Sequence, residues 1–60
     1  MKYIVLYNPH DGRWKLFEYI EGKEKYAPNY GCPIVDGATP GEALAAAVNM
    51  FDIDPDEVEV

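Results

Sequence analysis

The chain has 60 residues, 48% of them hydrophobic, one cysteine and a formal net charge of -6 at pH 7. That length holds one domain at most, burying only about 60% of the unfolded surface. A single cysteine excludes an internal disulfide, and the acidic balance disfavours direct contact with nucleic-acid phosphates, which needs lysine and arginine.

Lys2-Tyr3-Ile4-Val5-Leu6-Tyr7 is a β-rich run. Tyr3, Val5 and Tyr7 share one face, and Ile4 and Leu6 share the other. Two apolar faces predict a central strand covered on both sides. Asn8-Pro9-His10-Asp11-Gly12 reads as a turn, because proline presets φ and Asp-Gly tolerates positive φ. Trp14 to Ile20 is the second predicted strand, with Trp14, Leu16, Glu18 and Ile20 on one face and Lys15, Phe17 and Tyr19 on the other. The short polar connection makes the pair an antiparallel hairpin.

Glu21-Gly22-Lys23-Glu24 is the next turn. From Lys25 to Gly37, Pro28 and Pro33 rule out a long central strand. An irregular crossing is expected, with Tyr26-Ala27 briefly continuing the sheet and a short strand at Cys32 to Val35. Asp36-Gly37 then turns the chain into a helix. Thr39-Pro40-Gly41-Glu42 is a capping box with proline at the first helical position. The Thr39 hydroxyl is expected to accept from the Glu42 N–H, and the Glu42 carboxylate to reach back to the Thr39 N–H. Glu42 also meets the positive end of the helix dipole. Leu44, Ala47, Val48 and Phe51 fall at i, i+3, i+4 and i+7, one helical face.

The helix is expected to end near Phe51, and Pro55 biases Asp54 away from helix. Asp54-Pro55-Asp56-Glu57 predicts a capped turn, and the alternation of Glu57-Val58-Glu59-Val60 predicts a short terminal strand. The predicted fold class is α+β with two layers: a small antiparallel sheet, β-β-β-α with a terminal β, and one helix packed on one face over residues 1–60.

The chain has no serine, so a serine nucleophile is excluded. Cys32 and His10 are the only thiol and imidazole, and nothing in their spacing brings them together. Clustered zinc ligands are missing. Gly37 to Gly41 lacks the spacing and lysine of a phosphate-binding loop. No catalytic residue, cofactor or metal is predicted.

The aromatic residues carry more information. One tryptophan, five tyrosines and two phenylalanines are many rings for this length. One helix covers one sheet face, so some rings are expected on the open face or in the loop. Trp14, Tyr19, Tyr26 and Tyr30 are therefore predicted to bind a protein partner. The helix carries Ala43, Ala45, Ala46, Asn49 and Met50, with no charge between Glu42 and Asp52. A solvated face normally carries lysine and glutamate, and small residues permit close approach of another backbone. Acidic Asp52, Asp54, Asp56 and Glu57 form a second candidate partner-binding strip near the C-terminus, while every lysine and arginine lies between Lys2 and Lys25.

Gly31-Cys32 followed by Gly37-Ala38-Thr39-Pro40-Gly41-Glu42-Ala43-Leu44 resembles the HicB-like antitoxin domain. Members of that family carry a Gly-Cys pair and then a Gly-x-Thr-x-x-Glu-Ala helix start after an N-terminal hairpin. Four residues separate Cys32 from Gly37, one more than the family pattern, and Asn29-Tyr30 stand where Leu-Pro is usual. The resemblance implies a degenerate, partial RNase H-like fold without nuclease activity, in a toxin-binding or small regulatory protein. Many members carry a separate DNA-binding domain after this one, for which these sixty residues leave no room. The expected function is thus a non-enzymatic, cytoplasmic protein-binding module, antitoxin-like or a phage-type inhibitor of a host protein. The alternative is that the acidic strip mimics nucleic-acid phosphates and blocks a DNA- or RNA-binding protein. No membrane segment approaches the ~20 apolar residues of a span. With so small a core and no disulfide, a homodimer is the expected stabiliser.

Overall fold

The structure, a computed structural model, describes residues 2–60. Four strands and one helix form the predicted α+β fold: β1 (Tyr3–Asn8), β2 (Arg13–Glu18), β3 (Val35–Gly37), α1 (Pro40–Phe51) and β4 (Val58–Glu59). The strand order is β3-β2-β1-β4. β1 and β2 form the predicted hairpin, with Val5 opposite Leu16 and Tyr7 opposite Trp14. β3 pairs antiparallel with β2, placing Gly37 opposite Trp14. β4 runs parallel to β1, with Val58 opposite Tyr3, so the sheet is mixed. A helix followed by a short turn carries the chain back along the sheet, and that geometry returns β4 in the direction of β1.

The hairpin turn closes through Gly12, whose N–H donates to the Asn8 carbonyl at 2.9 Å and whose φ is 71°. Asn8 Oδ1 accepts from His10 N–H and Asp11 Oδ1 from Arg13 N–H, so the side chains do the work of turn carbonyls.

The helix begins as predicted at Thr39, whose hydroxyl accepts from Glu42 N–H at 3.1 Å. The Glu42 carboxylate reaches one residue further than expected, accepting from Ala38 N–H at 3.1 Å. Asp52 ends the helix in a left-handed conformation, φ 55°, with its N–H directed to the Ala47 and Val48 carbonyls. Asp54 caps the following turn by accepting from Asp56 N–H at 2.9 Å, also as predicted.

Two hydrophobic cores lie on opposite faces of the sheet. The first joins Val5, Leu16, Ala43, Ala47 and Ile53 beneath α1. The helix face corrects the sequence reading: Ala43 and Ala47 are fully buried, whereas Phe51 is 53% exposed. The reason is proximity. A Cβ on Gly37 would lie 2.6 Å from the Ala43 nitrogen, so α1 rides too close to the sheet for a large side chain beneath it.

The second core joins Ile4, Phe17 and Ala27, with Tyr19 and Tyr30 packed against it. Its cover is a 3₁₀ turn at Ala27–Tyr30, where a brief strand was expected from Tyr26-Ala27. Pro28 presets a helical φ and has no N–H to give a sheet ladder, so the chain turns over the sheet and does not extend it. β3 correspondingly starts at Val35, later than the expected Cys32. Both faces of β1 are buried, through Ile4 and Val5, as its alternation predicts.

Candidate functional site

Cys32 is a free, exposed thiol just before β3, and His10 is exposed in the hairpin turn. β3 runs antiparallel to β2 and toward that turn. Cys32 and His10 are consequently held at opposite ends of the sheet. Among the described residues no group of three or more histidine, cysteine, aspartate or glutamate side chains can hold a metal, and no pocket is present.

The aromatic candidates divide between the two faces. Trp14 lies on the helix side, half-buried against the first core, with its ring centroid 5.4 Å from that of Tyr7 and the planes at 60°. Tyr19 and Tyr30 lie on the other side. Tyr30 packs its ring 5.2 Å from Phe17, and its hydroxyl is buried without a hydrogen-bond partner. Lys2 sits 4.8 Å over the Tyr19 ring and Lys23 5.5 Å over the Tyr30 ring. These ammonium groups occupy ring faces expected to be open. Tyr26, 40% exposed, remains the most accessible of the four.

Charge is segregated as well. On the face carrying Phe17, Lys15 Nζ lies 2.6 Å from Asp11 and 3.3 Å from Asp36, and Arg13 Nε lies 3.0 Å from Asp36. The hydrogen bond from Lys15 holds the Asp11 carboxyl below its ordinary range, and those from Arg13 and then Lys15 do the same to Asp36. Lys15 is raised in return, first by its bond to Asp11. At the far end, Glu59 meets Lys25 at 2.7 Å and Lys2 at 3.5 Å. Glu59 is lowered and Lys25 raised by their mutual hydrogen bond. Every lysine and arginine is thus engaged on this side, by carboxylates or by ring faces.

The acidic candidates lie elsewhere. Asp52, Asp54, Asp56 and Glu57 follow α1 and are exposed. Asp54 accepts from the backbone of its own turn. Trp14 and the pair Tyr19 and Tyr30 lie on opposite faces of the sheet, so the aromatic candidates do not share one surface.

Of the small-residue side of α1 that the sequence offers to a partner, Ala45, Asn49 and Met50 are exposed, whereas Ala43 is buried. Leu44, Val48 and Phe51 fall at i, i+4 and i+7, a stripe beside the buried Ala43–Ala47 line. Leu44 and Val48 are half-buried, Phe51 is 53% and Met50 71% exposed. The periodicity predicts Leu44, Val48 and Phe51 on the core face with Ala47, and the structure leaves Phe51 mostly exposed.

No protein-family model, no curated protein and no solved structure matches the chain. No helix among the described residues is long and apolar enough to cross a membrane.

Proposed function

We propose that this chain is a non-enzymatic protein-binding module, an antitoxin-like or phage-type inhibitor that works in the cytoplasm by occupying a surface of another protein. The observation that carries this reading is the exposed apolar surface. Tyr7 is 48% exposed, Ile20 47%, Met50 71% and Phe51 53%, on a domain whose two cores are built largely from small and medium side chains. Apolar residues scattered singly are ordinary on a monomer, so the weight falls on Met50 and Phe51, neighbours at the end of an uncharged helix. The Gly31-Cys32 and Gly37–Leu44 resemblance supports the same reading.

The proposal includes a two-fold homodimer. β4 pairs only with Tyr3 and Ile4, so among the described residues the edge of β1 away from β2 has no strand beside it from Val5 to Asn8. That run carries no charge, so two chains of net charge -6 can meet along it without apposing carboxylates. A second reading, the phosphate mimic, rests on Asp52, Asp54 and Asp56, which are exposed and have no cation within ion-pair distance among the described residues.

One experiment separates these readings. The chain is used as bait in its native host, and the retained partner is identified by mass spectrometry and then titrated across a salt series. Binding by apolar surface is expected to vary little with salt, whereas a phosphate mimic loses affinity steeply. Steep loss together with failure of Asp52→Asn, Asp54→Asn and Asp56→Asn would replace the first reading with the second. Failure to retain any partner would remove both.

A further inference from the structure

Resting on the homodimer reading above, we propose that two copies of the chain join through the open edge of β1 in one register, antiparallel, with Tyr7 on the two-fold axis.

The backbone chooses the axis. The Lys2 carbonyl accepts from Tyr19 N–H and the Asn8 carbonyl from Gly12 N–H, so the even-numbered residues of β1 turn their main-chain groups toward β2. Alternation turns those of Tyr3, Val5 and Tyr7 toward the opposite edge. β4 stands beside Tyr3 and Ile4 and goes no further. Tyr7 is left with its N–H and C=O directed at an edge that has no strand. An axis at Val5 or Leu6 would drive the second β1 into β4. An axis at Asn8 would set Tyr7 against Pro9, which has no N–H for the Tyr7 carbonyl. With the axis at Tyr7, the N–H of each copy donates to the carbonyl of the other. Only Val60, 71% exposed and past the end of β4, has to turn aside.

The side chains agree with that axis. The Tyr7 ring is 48% exposed and lies 5.4 Å from Trp14, on the side of the sheet that carries α1. The helix packs chiefly over β3 and β2 and leaves this end of β1 uncovered. Pairing about Tyr7 makes the two Tyr7 rings cross-strand neighbours, with a Trp14 ring on each flank. One residue thus supplies both main-chain groups and the central ring, as a contact between identical surfaces requires. Charge permits the approach: the run from Tyr3 to Pro9 carries none. Asp11 in the turn and Glu59 in β4, at either end of the edge, are already paired with lysine. Area sets the strength. Stable interfaces bury about 1,200 Å² or more, and a strand contact limited to Val5–Pro9 is smaller, so a Kd of roughly 10–100 μM is expected.

The test follows self-association of the full chain by sedimentation equilibrium and amide NMR shifts, from about 10 μM to about 1 mM. Concentration-dependent shifts should centre on residues 5–9. Tyr7→Lys, which sets two ammonium groups on the axis, should weaken association roughly ten-fold or more with the circular dichroism spectrum unchanged. Tyr7→Phe should hold it within about a factor of two, and Phe51→Lys should leave it unchanged. In a Cys32→Ala background, Tyr7→Cys should oxidise to a disulfide dimer, because hydrogen-bonded antiparallel partners hold their Cα atoms about 5.5 Å apart. Pro9→Cys, opposite Val5 of the other copy, should not. Cross-linking of Pro9→Cys as fast as Tyr7→Cys would overturn the register. Association that survives Tyr7→Lys, or that is lost in Phe51→Lys, would overturn this edge while the homodimer stands. A monomer throughout would overturn the edge and the homodimer together, and a partner retained from the host would still uphold the protein-binding reading.

Discussion

The two faces of the sheet are covered by different physical means. Under α1, contact is made by backbone proximity: Gly37, Ala43 and Ala47 let a regular helix settle onto Val5 and Leu16. On the other face, a 3₁₀ turn brings Ala27 and Tyr30 onto Ile4 and Phe17, and the ion pairs around Lys15 and Glu59 flank it. The first face depends on the absence of side-chain volume; the second depends on one large ring and on charges that tie an irregular segment down. A chain this short cannot extend one core far, and here it divides its apolar residues between two smaller ones.

The largest expected effect breaks the second face. Phe17→Ala removes the ring under Tyr30 and should lower stability by about 4 kcal/mol, read from urea midpoints. Because that is comparable with the whole stability of a domain this size, the variant should be largely unfolded. A cost below about 1 kcal/mol would mean that the 3₁₀ cover is not a core. Gly37→Ala tests the first face from the opposite direction, by adding one methyl. The close approach to Ala43 predicts a loss of about 3 kcal/mol, and a neutral outcome would show that the helix can lift away from the sheet at little cost.

A smaller effect, about 1 kcal/mol, is expected from Thr39→Ala, which leaves the Glu42 N–H without its acceptor. Smaller still is Tyr30→Phe. It deletes a buried hydroxyl that has no partner, so stability should stay level or rise by up to about 1 kcal/mol. A clear loss would reveal a hydrogen bond to water.

The pH dependence sharpens the comparison without a substitution. Asp11, Asp36 and Glu59 are held below their ordinary values, so the stability they contribute is present above the unfolded carboxylate range near ~4 and is lost as pH falls through their folded values. Lys15 and Lys25 are raised, so their share is complete below about 10.4 and is lost as pH rises beyond it through the folded values. These pairs all lie on the side of Phe17. Hydrogen exchange at pH 3 should therefore quicken first around residues 27–30 and 58–59, ahead of residues 43–48. Uniform quickening would deny the two faces separate identities.

The sequence carried much of this in its local chemistry. The hairpin was legible because Asp11-Gly12 sits between alternating runs. The helix start was legible because Thr39, Pro40 and Glu42 each satisfy a specific need of a helix terminus. The helix's buried side was not. Periodicity weighs bulk, and it chose Leu44, Val48 and Phe51 over Ala43, whereas Gly37 sets the separation from across the sheet, a tertiary fact outside any helical window. The cover over Phe17 was hidden for a related reason: Ala27-Pro28-Asn29-Tyr30 is too short for a period, and its role comes from where the hairpin places Ile4 and Phe17. The opposite faces of Trp14 and Tyr19 follow from the alternation of their strand, whereas the place of Tyr26 and Tyr30 depends on the 3₁₀ turn.

The pairing of β4 with β1 places Val58 beside Tyr3 and Glu59 within reach of Lys2. During synthesis, the hairpin emerges long before its last neighbour and waits with one edge of β1 bare. The Tyr3–Val58 contact spans nearly the whole described chain, so its loop-closure entropy is met late, after the hairpin and helix have shortened the effective distance. Order of assembly is thus written into the sheet: local pairs first, the edge last.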